Sequence, residues 1–244
     1  MPPSLFAACP HDTARGLTKW ALFNTLVNKE VGLGSRFHPY LNFAEFGAAL
    51  EAGELLWAYL NPADFLKAKR LFQFAHVARP ADRRDVAYLV ASARSGLQGL
   101  EAASGRKLAA VSGYLYFLVK HRLQTSGIEH VLVPAKSYAE VMQMVDRGQA
   151  ELGVTYNDHF DHLNDSSRAD FTIATTVDIG LSHVVATHPS VPAESREALR
   201  KLLLNAASGV AGEKILSTLE FSRFEAVPEE PFKQLADVLQ SVAG

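Results

Sequence analysis

Apolar and polar positions along this chain switch repeatedly between two periods. Short runs bounded by turn-forming residues predict strands at Leu5–Cys9, Arg36–Leu41, Phe72–Ala78, Val86–Ala91, Lys107–Val111, His130–Val133, Phe171–Thr175 and Leu181–Thr187. Stretches with apolar residues three and four apart predict helices between them. Leu17, Trp20, Phe23 and Val27 mark one face of a helix capped by Asp12 or Thr13 and running to about Val31. Pro62 opens another helix to about Arg70, at a position where its missing amide has no partner to lose. Further helices are expected from Ser112-Gly113 to about Ser126, and near 193–204, 211–219 and 231–242. Strands alternating with helices imply parallel sheets with crossover helices, an α/β fold.

One helix–strand unit occurs twice. Asn42-Phe43-Ala44-Glu45 leads through an apolar face (Phe46, Ala49, Leu50) to Gly53, then to a strand ending Tyr59-Leu60-Asn61. Ser137-Tyr138-Ala139-Glu140 leads through Val141, Met144 and Val145 to Gly148, then to a strand ending Thr155-Tyr156-Asn157. Asn42 with Glu45, and Ser137 with Glu140, have capping-box spacing. Gly53 and Gly148 suit the left-handed residue that ends a helix. A unit repeated at this distance predicts two similar lobes. The chain is expected to leave lobe one near Ala91 and return near Asp178–Leu181. Lobe one is then 1–91 with 180–244, and lobe two is 92–179, with a hinge and a cleft between them.

Composition narrows the function classes. The 244 residues suit two lobes with real cores, and 48% hydrophobic against 20% charged residues is an ordinary globular balance. A formal charge of -2 gives no global attraction to nucleic acid or an anionic membrane. The segment from Met1 to Cys9 lacks a basic start and a long apolar run, so it does not read as an intact signal peptide. The expected compartment is periplasmic if a signal has been removed, and cytoplasmic otherwise. A single cysteine, Cys9, excludes an internal disulfide and a multi-thiolate metal cluster. It reads as a buried strand residue with no visible activator.

In open parallel sheets, ligands collect at the carboxyl ends of strands beside helix N-termini. Four places qualify. Lys107–Val111 stops directly at Ser112-Gly113-Tyr114, where free helix amides favour an anion. Tyr59 and Asn61 end the first repeat's strand, and Tyr156, Asn157 and Asp158 end the second. Their side chains supply neutral donors and acceptors in a binding site. Thr13 follows the first strand. Asp158-His159-Phe160-Asp161-His162 resembles a metal motif, but one helical face supplies only two ligands, so no metal and no cofactor are expected there. Phosphate-loop, dinucleotide and Gly-x-Ser-x-Gly patterns do not occur.

Three stretches resemble the phosphate/phosphite/phosphonate substrate-binding proteins of ABC importers, within the type 2 periplasmic binding protein fold. They are Ala49 through Ala68, Ser112-Gly113-Tyr114-Leu115-Tyr116, and Val141 through Asn157. The resemblance implies two mixed-sheet lobes flanked by helices, a small oxyanionic ligand, a membrane ABC permease as partner, a monomer, no nucleic acid and no enzymatic activity. It carries a ligand role onto Ser112 and Gly113, and onto Tyr59 and Asn157. Two departures stand out. Ala109-Ala110-Val111 replaces a longer hydroxyl-rich loop before the Ser-Gly, and neutral Asn157 stands where an acidic ligand residue is expected, with Asp158 adjacent. A cytoplasmic enzyme on the same fold, resembling the menaquinone-pathway enzymes, is the alternative, with His11, Asp158 or His159 as its acid–base groups. Metal or metalloid binding through Asp158–His162 is a third.

Overall fold

The alternating periods become two separate mixed sheets in the computed structural model, which describes residues 3–242. The chain divides into two units, Met1–Arg84 with Ser182–Glu229, and Asp85–Leu181 with Glu230–Gly244.

In the first unit, β1 (Leu5–Ala8) pairs in parallel with β2 (Arg36–Phe37) and β3 (Leu55–Leu60). The later strand β10 (Val184–Thr187) inserts antiparallel between β3 and β4 (Ala75–Pro80), and β11 (Phe224–Glu225) closes the far edge. The strand order is β11-β4-β10-β3-β1-β2. Helices α1 (Pro10–Val31), α2 (Phe43–Glu51), α3 (Pro62–Phe72), α8 (Ala193–Leu204) and α9 (Val210–Leu219) accompany it. The core is aromatic: Phe6 stacks on Trp57 at 3.9 Å and Trp20 on Tyr59 at 4.7 Å. Trp57 Nε1 donates to Ser35 Oγ at 2.7 Å, so the buried indole keeps a partner.

In the second unit, β6 (Lys107–Val111) lies parallel to β7 (Val131–Ala135) and β8 (Leu152–Tyr156). Strand β5 (Ala87–Ser92) joins β8 and β9 (Phe171–Val177) antiparallel, giving the order β7-β6-β8-β5-β9. Helices α4 (Tyr114–Thr125), α5 (Tyr138–Asp146), α6 (Asn157–Asp161), α7 (Asp165–Ala169) and the last helix α10 (Glu230–Val242) belong here. Leu89, Leu108, Val119, Leu152 and Val154 fill the core.

Both repeated units form as their caps require. Asn42 Oδ1 accepts from the Glu45 amide at 2.8 Å, and Ser137 Oγ accepts from the Glu140 amide at 3.2 Å. Gly53 and Gly148 adopt φ of +70° and +67°.

The structure departs from expectation in several places, among them the strands expected at Arg36–Leu41 and Leu181–Thr187, which are Arg36–Phe37 and Val184–Thr187. The crossing between units falls at Arg84/Asp85 rather than near Ala91, because β5 bonds to β8 and β9 in the second sheet. Helix α10 packs on α4 and so leaves the first unit, to which it was assigned. Helix α3 continues through Phe72, and left-handed Gln73 ends it, so β4 starts at Ala75 rather than Phe72. Helix α1 starts at Pro10 with Cys9 as its N-cap, and it kinks at Gly16.

Candidate functional site

Register places two groups of side chains at the carboxyl edges of the two sheets. In the second unit β6 and β8 run parallel, and β5 starts where β8 ends, with Ala87 opposite Tyr156. The residues just beyond these ends are therefore Ser112-Gly113 before α4, Asn157 after β8, and Asp85 before β5.

Helix α4 begins without a side-chain cap. Its N-cap is Gly113, extended at φ −179° and ψ 175°, and Ser112 beside it is exposed rather than capping. A Cβ built on Gly113 meets nothing within 4 Å, so the space beside the first-turn amides is open. Uncapped amides and the positive helix end favour negative charge here.

The same edge carries a buried carboxylate ringed by phenols. Asp85 is 1% exposed. The Tyr156 hydroxyl donates to Asp85 Oδ1 at 2.7 Å, and the Tyr114 hydroxyl also bonds to Asp85. Tyr138 stands 6.2 Å from Tyr156 and 6.0 Å from His159, between ring centroids. Burial, with Asp85 next in weight, pushes the Tyr114 phenol well above its ordinary value, so it remains a neutral donor. The Thr155 hydroxyl is fully buried and has no hydrogen-bond partner among the described residues.

The remaining second-unit residues have folding contacts. Asn157 Oδ1 accepts from the Val86 amide at 2.9 Å, tying the end of β8 to the start of β5. Asp158 pairs with His162 across one turn, at 3.3 Å to the carboxylate and 2.7 Å to the carbonyl. His162 thus closes a helix end, while His159 lies beside Tyr138, so these three do not converge as metal ligands.

In the first unit, Thr13 Oγ1 donates to the Ala8 carbonyl at 3.0 Å, and Tyr59 is stacked on Trp20 with 3% exposure. Asn61 caps α3: its Oδ1 accepts from the Asp64 amide at 2.9 Å, and its Nδ2 reaches Asp64 Oδ2 at 2.6 Å and Cys9 Sγ at 3.7 Å. Cys9 is not an isolated strand residue. Its Sγ lies 3.2 Å from His11 Nδ1, and His183 also bonds to it. Burial pushes the Cys9 thiol up, but the His11 and His183 imidazoles reverse this and leave it below its ordinary value. His11 is lowered by burial but raised further by Asp12 and Cys9, so its net shift is upward.

Sequence patterns alone missed Asp85, Tyr138 and His183. Asp85 sits in a polar Arg-Arg-Asp stretch that reads as a turn, and His183 reaches the edge only because β10 runs antiparallel.

A cavity of about 490 Å³ elsewhere in the second unit is lined by residues including Leu118, His121, Arg122, Asp178 and Gln234. It contains none of the edge residues.

Over residues 6–231 the chain matches the family described as the periplasmic phosphonate substrate-binding protein of an ABC transporter, and it belongs to that family. No curated protein sequence matches it significantly. Among solved structures, it is similar to XAC2383 from Xanthomonas citri bound to chloride, with a TM-score of 0.78, 16% identity, and 98% of each chain covered. PhnD1 from Prochlorococcus marinus in complex with methylphosphonate gives a TM-score of 0.79 at 11% identity, again with 98% of each chain covered. A phosphonate-transporter binding protein from Pseudomonas aeruginosa gives 0.74 at 12% identity, covering 98% of this chain and 85% of that one. The fold is the two-sheet α/β architecture of type 2 periplasmic binding proteins. The family is the substrate-binding component of a transporter and is normally periplasmic. Among the described residues, no helix is long and apolar enough to cross a membrane.

Proposed function

We propose that this protein is a non-enzymatic solute-binding protein that captures a small oxyanionic ligand of the phosphonate, phosphite or phosphate type and delivers it to a membrane ABC permease from the periplasm. The observation that carries this is the uncapped start of α4, where the Gly113 N-cap leaves first-turn amides facing open space. Ser112 adds a hydroxyl beside them, and Tyr114 and Tyr156 supply phenols that burial keeps neutral or engages with Asp85. Family membership and the methylphosphonate complex of PhnD1 support the same ligand class. The Asp85 carboxylate on that edge opposes a bare dianion. A ligand pairing an oxyanion with a cationic group, such as an aminophosphonate, therefore suits the edge better than free phosphate.

Ligand that binds only the folded state raises the melting temperature. A thermal-shift panel of alkyl- and aminophosphonates, phosphite, phosphate, sulfate, sulfonates and small carboxylates tests the assignment. A shift is expected with phosphonates, larger for aminophosphonates than for phosphate. A flat response across the panel would falsify the oxyanion assignment. In a Ser112→Ala variant, loss of one hydrogen bond to a charged ligand should weaken binding by about 1.5–3 kcal/mol. Unchanged affinity would remove Ser112 from the site.

A further inference from the structure

Four metal-preferring side chains from two separate segments meet at the carboxyl edge of the first sheet. Cys9 follows β1 directly as the N-cap of α1, and its amide donates to the Tyr59 carbonyl at 2.9 Å. His11 and Asp12 follow in the first turn of α1, opened by Pro10. His183 stands one residue before β10, and the pairing of Val184 with Leu60 sets it across from Asn61. Sheet register therefore holds the thiol and both imidazoles in place.

We propose that Cys9, His11, Asp12 and His183 bind one divalent transition-metal ion of the zinc type. The site lies wholly within the first unit, and nothing in the oxyanion assignment depends on it.

Each residue offers one ligand atom, and all four atoms lie within 4.8 Å of one another. Cys9 Sγ is 3.2 Å from His11 Nδ1, and Asp12 Oδ2 is 3.7 Å from His183 Nε2; the other His11 nitrogen, Nε2, lies 3.2 Å from Asp12 Oδ2, and the ring would bind the ion through one of the two. Tetrahedral zinc, with bonds of about 2.0–2.3 Å, separates its ligands by roughly 3.3–3.6 Å. A pair at the 4.8 Å limit would need to close by roughly 1.2–1.5 Å, which side-chain rotations can supply.

The donor chemistry selects the ion. A thiolate, two imidazoles and a carboxylate suit zinc or its first-row neighbours, whereas magnesium and calcium require oxygen ligands. Thiolate and carboxylate together carry two negative charges, which one divalent ion neutralises. The metal would displace the proton now shared by Cys9 and His11, and it would give a partner to Asp12 Oδ2, which is buried with no hydrogen-bond partner among the described residues. Lowering of the thiol by the imidazoles agrees with a sulfur ready to coordinate.

The surroundings fit as well. Asn61 Nδ2 points at Cys9 Sγ from 3.7 Å, an N–H contact that steadies a coordinated sulfur. Cys9 and His183 are buried, while the His11 and Asp12 side chains retain 27% and 23% exposure and give an ion a path in. Full burial of Cys9 also argues against a freely attacking nucleophile.

The test is calorimetric titration of tag-free, chelator-stripped full-length protein with Zn²⁺, and separately with Mg²⁺. One equivalent of Zn²⁺ should bind and raise the melting temperature, with no response to Mg²⁺. Cys9→Ser and His183→Gln should each weaken Zn²⁺ binding by at least about tenfold, and Asp158→Asn should leave it unchanged. Should the two ligand variants fold poorly, Co²⁺ in the unaltered protein decides. A sulfur-to-cobalt charge-transfer band, reversed by chelator, supports the site. No Zn²⁺ binding, equal binding in Cys9→Ser, an equal Mg²⁺ response, or a Co²⁺ complex lacking the sulfur band overturns it and leaves a purely structural hydrogen-bonded cluster.

Discussion

In the first sheet, the end of β1 and the start of β10 bring a thiol, two imidazoles and a carboxylate into mutual contact. In the second, the ends of β6 and β8 bring an uncapped helix together with phenols gathered on one carboxylate. Topology is shared: a cap, a helix and a left-handed glycine precede both β3 and β8. What differs is the loop residue at each strand end. The first edge gathers metal-ligand atoms within 4.8 Å of one another. The second keeps the Tyr114 phenol neutral and its helix amides free of a side-chain cap. Two copies of one scaffold can thus offer donors to quite different ligands, because a strand end fixes position while leaving side-chain chemistry open.

The comparison can be broken most forcefully at Asp85. Tyr156→Phe removes a donor from a buried charge and should cost about 1–3 kcal/mol in urea denaturation. A cost near zero would mean that Asp85 is solvated or protonated, and the phenol-ringed carboxylate would lose its significance. The alkaline limb sharpens this. Tyr114 is raised by burial, so its contribution is intact below the ordinary phenol value of 10.0 and is lost as pH climbs through that value toward the folded one. Tyr114→Phe should flatten the alkaline fall in stability, and an unchanged limb would assign the fall to other groups.

The scaffold itself is tested by matched substitutions in the two copies. Gly53→Ala and Gly148→Ala both place a side chain at positive φ, at a cost of about 1–2 kcal/mol. Gly53→Ala should cost more, because its Cβ would sit 3.1 Å from the Phe72 ring, whereas nothing lies within 4 Å at Gly148. The smallest effect belongs to the caps. Asn42→Ala and Ser137→Ala should each lose about 1 kcal/mol. A clear inequality between them would show that the two helices do not depend equally on their caps.

Local chemistry was legible in the sequence and long-range pairing was not. Asn42, Ser137, Gly53 and Gly148 act through neighbours three to five residues away, which a linear pattern records. The Ser112-Gly113 turn was placed correctly beside α4, although Gly113 rather than Ser112 is the cap. His183 meets Cys9 only through antiparallel insertion of β10, and Asp85 meets Tyr156 only through β5–β8 pairing. Val86–Ala91 read as a strand, but its choice of sheet rests on hydrogen bonds to strands far along the chain, which periodicity does not encode.

Insertion of β10 between β3 and β4 bears on how the protein is made. A ribosome emits β1 to β4 early, but their central partner arrives only after the entire segment Asp85–Leu181. Until then β3 and β4 each present an open edge in a nascent chain, the kind of edge that recruits other chains. The second unit's five strands are complete by Val177, with only α10 still to come. Synthesis therefore favours order in the interior segment first, and a truncation after Leu181 should yield aggregates rather than a half-protein.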